Sequence, residues 1–273
     1  MKMGGIARKY GLVLALSLFI LFSYLLLSGV QNQEHFESVL ESKSKFNKPV
    51  FMIILDGCRP DKLSSANTPN MDFLISKGSA HIVETVNPSS TLPAHASIVT
   101  GVPPEVHGIT WNKERGVGPK VKTIFELHPG KSAFLGAKKK LSDAARGADI
   151  SDFTLTDSKG VMNEAISLLS KGNISFMLIS LPDIDRAGHK YGSGSREYIE
   201  AIEGEDALIG GLIEALNASY GLSNTVIIIT SDHGMTGTAH GTKRRTDMEV
   251  PLILFGHEKV EIEYNYEILN EIT

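Results

Sequence analysis

Four short apolar runs rich in β-branched residues constrain the fold of this chain more than any other feature. They are Pro49–Leu55, Ile174–Leu181, Thr225–Thr230 and Val250–Phe255. Runs of this length without polar alternation read as strands buried on both faces. A helical stretch, Asn163–Leu169, stops before Gly172, just ahead of the second run. Between the second and third runs, Glu197–Leu216 places Ile199, Ile202, Ile209, Leu212, Ile213 and Leu216 at helical spacing. Strands alternating with helices predict an α/β domain: a mostly parallel central sheet with helices on both faces. Ligands of such sheets bind beyond the carboxyl ends of the strands.

Three of the runs open directly into residues that suit a divalent metal. Phe51–Asp61 (FMIILDGCRPD) offers Asp56, and Ile179–Gly192 (ISLPDIDRAGHKYG) offers Asp185 and His189 four residues apart. Val226–Gly241 (VIIITSDHGMTGTAHG) offers Asp232 and His233, with His240 seven residues further on. Taken singly, each has an ordinary reading: an Asp at a strand end caps a helix or closes a turn, and a loop histidine is a surface residue. Taken together, carboxylates and imidazoles form donor sets that suit zinc, and that also serve manganese and iron. Two ions about 3.5–4 Å apart can flank an in-line phosphoryl displacement. Between the first two motifs, Pro88–Gly101 (PSSTLPAHASIVTG) supplies hydroxyls from Ser89, Ser90 and Thr91. Asp183 competes with Asp185 by residue type, and Arg59 and Asp61 read as shaping the turn after the first strand.

With 273 residues, 21% of them charged and 42% hydrophobic, the chain has room for one substantial domain and is not disordered in character. A formal net charge of -4 leaves no electrostatic footprint for nucleic acid as a stable partner. The single cysteine, Cys58, excludes an intrachain disulfide and a Cys-based zinc finger. Residues Gly11–Val30 form an uncharged apolar stretch preceded by Lys2, Arg8 and Lys9. Its length and flanks predict an uncleaved transmembrane signal anchor, with a cleaved signal peptide as the alternative. The expected order is a cytoplasmic N-terminus at 1–10, the anchor at 11–30, a polar linker at 31–48 and a catalytic domain at 49–273. By the positive-inside rule that domain faces outside. Asn173 and Asn217 begin triplets that fit the N-glycosylation pattern, and Lys138–Lys140 reads as a solvated charge run.

The motif order carries further information. LDGCRPD, TPN (Thr68–Asn70), TLPAHASIVTG, HGITWN, DRAGH, SDHGM and AHG follow one another from about residue 49 to about residue 256. This series resembles the nucleotide pyrophosphatase/phosphodiesterase branch of the alkaline phosphatase superfamily. The resemblance implies an alkaline-phosphatase-like fold with Thr91, in Thr-x-Pro-x-His, as nucleophile. It implies that Asp56, Thr91, Asp232 and His233 surround one metal and that Asp185, His189 and His240 surround a second. Asn112 matches the family's asparagine that hydrogen-bonds a nonbridging phosphate oxygen. His95 and His107 match motif positions with supporting roles. The cofactors so implied are two divalent ions, Zn2+ or Mn2+. The implied substrate is a small phosphate ester or nucleotide, hydrolysed at a phosphodiester or pyrophosphate bond through a covalent phosphothreonine. The close spacing of His233 and His240 resembles the superfamily's ethanolamine-phosphate transferases, so transfer to a lipid or glycan is an alternative. A catalytically inactive phosphate-ligand-binding domain is another. TLPAH in place of C/S-x-P-S-R argues against a sulfatase.

Overall fold

The structure, a computed structural model, describes residues 48–256. Among them, no helix is long and apolar enough to cross a membrane. The segments expected at 1–10 and 11–30, and the linker up to residue 47, lie outside the described residues.

Seven strands form one sheet: β1 (Val50–Leu55), β2 (Ser79–Glu84), β3 (Ser132–Gly136), β4 (Ile150–Asp152), β5 (Phe176–Leu181), β6 (Val226–Thr230) and β7 (Glu249–Phe255). Their spatial order is β2-β7-β6-β1-β5-β3-β4. The longer helices are α1 (Pro69–Lys77), α2 (Thr91–Thr100), α3 (Ser158–Ser170), α4 (Asp183–Tyr191) and α5 (Arg196–Tyr220).

The wholly apolar strands are explained by two cores. Side chains alternate across a strand, and in β1 Phe51, Ile53 and Leu55 join Val161, Ile202 and Ile209 of α3 and α5. Ile54 points the other way, into a cluster with Leu92, Ala96 and Val99 of α2. β5 divides likewise: Met177, Ile179 and Leu181 lie on the first side, and Phe176 and Leu178 on the second. Asp157 caps α3 by accepting from the Gly160 amide at 2.7 Å, and Ser195 caps α5 by accepting from the Tyr198 amide at 3.1 Å.

β1 runs parallel to both β5 and β6, with Leu55 opposite Leu181 and Ile54 opposite Thr230. That register brings the residues following all three strands to one edge. β7 departs from the parallel rule, pairing antiparallel with β6 and with β2. Only a four-residue helix, Arg245–Met248, precedes it, so no covering crossover helix returns the chain in parallel. β2 carries little apolar signal; it is an edge strand whose Ile82 is 60% exposed.

Candidate active site

Asp56 is the first residue past β1, and its amide donates to Leu181 O at 3.0 Å. The chain then turns through Gly57, whose φ of +78° lies in the left-handed region that favours glycine. A Cβ on Gly57 would also lie 3.1 Å from Asp185 Cβ. Its amide instead donates to Asp232 Oδ1 at 3.1 Å, tying the ends of β1 and β6 together. Asp185 sits in the first turn of α4 and His189 one turn later, so both occupy one face of the helix. Asp232 and His233 follow β6, and His240 returns on the loop beyond them. Thr91 is the first residue of α2 and is fully buried.

Two donor groups converge at this edge. Asp56, Asp232 and His233 form one, and Asp185, His189 and His240 the other, each with ligand atoms within 4.8 Å of one another. In the first, His233 Nε2 lies 3.5 Å from Asp56 Oδ1, 3.5 Å from Asp232 Oδ2 and 3.4 Å from Thr91 Oγ1. In the second, Asp185 Oδ1 lies 3.3 Å from His189 Nε2 and 3.7 Å from His240 Nε2. The rings of His233 and His240 stack with centroids 3.7 Å apart, joining the groups.

The histidines are prepared as ligands. Nδ1 of His189 meets Thr238 O at 2.8 Å, Nδ1 of His233 meets Gly234 O at 2.9 Å, and Nδ1 of His240 meets Ser89 O at 3.0 Å. A carbonyl only accepts, so each Nδ1 carries the proton and each Nε2 presents a lone pair inward. The carboxylates are the complement: Oδ1 of Asp56, Oδ1 of Asp185 and Oδ2 of Asp232 are buried without a hydrogen-bond donor. Unsatisfied buried carboxylate oxygens are costly, and cations relieve that cost. The donor set therefore fits two divalent ions.

Lys138 supplies one cation of the protein's own. Its Nζ lies 2.6 Å from Asp56 Oδ2 and 2.5 Å from Asp185 Oδ2, leaving both Oδ1 atoms facing the imidazoles. Burial, with Asp232 alongside, raises the pKa of Asp56 despite Lys138. Burial also opposes ionisation of Asp185, but His189 and Lys138 outweigh it and hold that carboxyl low. Burial and the His233 ring push His240 down to about 4, whereas the Asp185 contact raises His189.

Most other residues singled out in the sequence take supporting places. Asp183 accepts from the Ser158 amide at 3.1 Å and stays out of the cluster, so Asp185 is the residue brought in. His95 meets Thr91 O at 2.8 Å and Ser180 Oγ at 3.0 Å, and it stands 3.4 Å from Asp232 Oδ2. His107 bonds Ser97 Oγ at 2.9 Å, away from both groups. Arg59 pairs with Asp61 at 2.8 Å and brackets the first turn. Ser89 Oγ donates to Thr242 O at 2.8 Å, whereas the Thr91 hydroxyl stands 3.4 Å from His233 Nε2. Asn112 Oδ1 accepts from the Leu92 amide at 3.0 Å, in the first turn of α2.

The lysine run is a correction. Lys138 and Lys140 are not a solvated face: Lys138 bridges the two donor groups, and Lys140 Nζ donates to Asn112 Oδ1 at 3.0 Å. Only Lys139 is exposed. The missed signal is local, because SAFLG at Ser132–Gly136 is a buried strand and the lysines follow its carboxyl end.

The family described as Type I phosphodiesterase / nucleotide pyrophosphatase matches over residues 50–146 and 136–253. The chain belongs to this family. Membership places it in the alkaline phosphatase superfamily, as the sequence predicts. A curated relative in the family, an uncharacterized pyrophosphatase/phosphodiesterase of Schizosaccharomyces pombe, is 30% identical over 231 residues, covering 71% of this chain and 46% of that protein. The human bis(5'-adenosyl)-triphosphatase ENPP4 is 28% identical over 223 residues, covering 72% of this chain and 49% of that protein. The chain thus spans about half the length of the curated relatives it matches. Among solved structures, the fold is like that of an inactive murine ectonucleotide pyrophosphatase/phosphodiesterase 5 in complex with AMP. The TM-score is 0.59 at 21% identity, covering 70% of this chain and 58% of that one.

Proposed function

We propose that this family member hydrolyses phosphodiester or nucleotide pyrophosphate bonds, with Thr91 as the nucleophile. The observation that carries the reading is the meeting of a buried threonine hydroxyl, at the start of a ten-residue helix, with two sets of carboxylate and imidazole donors. Asp56, Asp232, His233 and Thr91 would hold one divalent ion, and Asp185, His189 and His240 the other. Zn2+ suits these nitrogen and oxygen donors, as does Mn2+. Bound there, the ions would lower the pKa of the hydroxyl and offset charge on the phosphoryl oxygens.

The chain's own residues do the rest. Thr91 Oγ1 attacks phosphorus, the ester or pyrophosphate oxygen leaves, and water later cleaves the phosphothreonine. A phosphoryl group on Thr91 lies at the positive end of α2, where helix N-termini favour anions. Asn112 has its carbonyl oxygen engaged by Leu92, so its amide N–H groups serve a nonbridging oxygen. His95 ties the Thr91 carbonyl to Ser180 and steadies the first turn of the helix. The expected anchor at Gly11–Val30 supports a membrane-bound enzyme with this domain outside the cytoplasm.

The test is hydrolysis of bis-p-nitrophenyl phosphate, p-nitrophenyl phosphate and p-nitrophenyl sulfate by the zinc-loaded protein, beside Thr91→Ala. Diester cleavage that vanishes in the variant supports the reading. Diester cleavage retained by Thr91→Ala removes the nucleophile assignment, and no cleavage of any phosphate removes the activity.

A further inference from the structure

The two donor groups are held in different ways. In the first, His233 takes its orienting carbonyl from Gly234, the next residue in the chain. In the second, α4 supplies Asp185 and His189, but the loop after β6 supplies the rest. It carries His240 itself and the Thr238 carbonyl that meets His189 Nδ1 at 2.8 Å. The tip of that loop, residues 237–239, is exposed. A segment with so little burial keeps one shape only where its ends are fixed.

Asp247 fixes both ends. It lies in the short helix Arg245–Met248, is fully buried and belongs to neither donor group. Its Oδ1 accepts from Thr236 Oγ1 at 2.5 Å, where the loop begins. Its Oδ2 accepts from the Thr242 amide at 3.0 Å and from Thr242 Oγ1 at 2.6 Å, where the loop ends. The Thr236 proton goes to the carboxylate, which only accepts, so Thr246 Oγ1 is the donor in its 2.5 Å contact with Thr236 Oγ1. Burial opposes ionisation of Asp247, but the bonds from Thr236 and Thr242 outweigh it and hold the carboxyl low. Between the fixed ends, the Thr236 amide donates to Ala239 O at 2.8 Å and the Ser193 amide to Gly237 O at 2.7 Å. His240 Nδ1 then meets Ser89 O at 3.0 Å.

We infer that Asp247 is a positioning residue for the second donor group. Through Thr236 and Thr242 it clamps the loop, and the loop aims the Nε2 atoms of His240 and His189 at Asp185. The inference rests on the two-ion reading above for what that group holds, whereas the clamp itself is a property of the metal-free fold. It adds a residue outside the ligand set that governs one ion position and not the other.

Two variants of the full-length protein in detergent test it. Asp247→Asn keeps the shape of the side chain, but its amide nitrogen donates and cannot accept from Thr242. Thr242→Val removes one hydroxyl at an exposed position and leaves Asp247 in place, so it serves where Asp247→Asn does not fold. Proton–nitrogen correlation spectra of the imidazoles, recorded on chelator-treated protein with the histidines neutral, show which ring nitrogen carries the proton. The parent should show Nδ1–H at His189, His233 and His240. In the variants His189 and His240 should leave that state while His233 keeps it, a selectivity that general loosening of the fold would not produce. Zinc titration against a competing chelator should show the second position weakened about 10–100-fold and the first unchanged. Unaltered tautomers at His189 and His240 in both variants overturn the clamp, as does an equal change at all three histidines. The two readings fail separately. A parent protein that binds no zinc refutes the ion assignment, and the tautomers of the metal-free protein still decide the clamp. A parent that binds two zinc ions, with variants that bind both as tightly, refutes the clamp alone.

Discussion

Thr91 Oγ1 lies 3.4 Å from His233 Nε2, although 142 residues separate them in the chain. The contact exists because β1 and β6 end in register and α2 begins above that edge. It sets the first prediction. Thr91→Ser keeps a hydroxyl at the start of α2 and should retain turnover, whereas Thr91→Ala should lower kcat by about 10^3-fold or more. Steady-state rates on bis-p-nitrophenyl phosphate check this, and equal loss in both variants would point to packing of the methyl group rather than nucleophilic attack.

The two donor groups should empty separately. His189→Ala removes a ligand from the Asp185 group and leaves Asp56, Asp232 and His233 untouched. If the parent protein binds two zinc ions as proposed, elemental analysis should then find about one per chain in the variant. A full complement in His189→Ala would remove that histidine from the site.

Lys138 matters most in the absence of metal, as the counter-charge between Asp56 and Asp185. Lys138→Met leaves two buried carboxylates without it and should destabilise the metal-free protein by about 3 kcal/mol. Added zinc should recover more stability in this variant than in the parent. Urea denaturation in chelator and in zinc tests the difference, which would be nil if Lys138 were only a surface charge.

Glu205 predicts a pH dependence of its own. Burial pushes its carboxyl up to about 8 from an ordinary 4.5, and it accepts from Ser158 Oγ at 2.7 Å and the Asp183 amide at 3.0 Å. The folded state therefore holds a proton that the unfolded state releases above about pH 4.5. The stability associated with the neutral form is complete below that pH. It declines by up to about 1.4 kcal/mol per unit as pH rises towards 8. Glu205→Gln should remove this slope, becoming progressively more stable than the parent between pH 5 and 8. Parallel denaturation profiles over that range would show that Glu205 is already ionised in the fold.

The long apolar runs and their trailing Asp and His residues were legible from the sequence because strand burial and strand-end chemistry are local. Five or six residues suffice to show them. Motif order along the chain then led to the family. β2 and β4 left no such trace, being edge strands, one mostly exposed and the other only three residues long. The direction of β7 was equally hidden, because its apolar pattern is the same whichever way it runs. What only the tertiary structure decided is the electrostatics of the site. Lys138 reads as part of a charged tract until β3 lies beside β5 and carries its ammonium between Asp56 and Asp185. The Nδ1 contacts of His189 and His240 come from Thr238 and Ser89, 49 and 151 residues distant. Burial, pairing and tautomer depend on which groups meet across the chain, and that is set by packing rather than by neighbours in sequence.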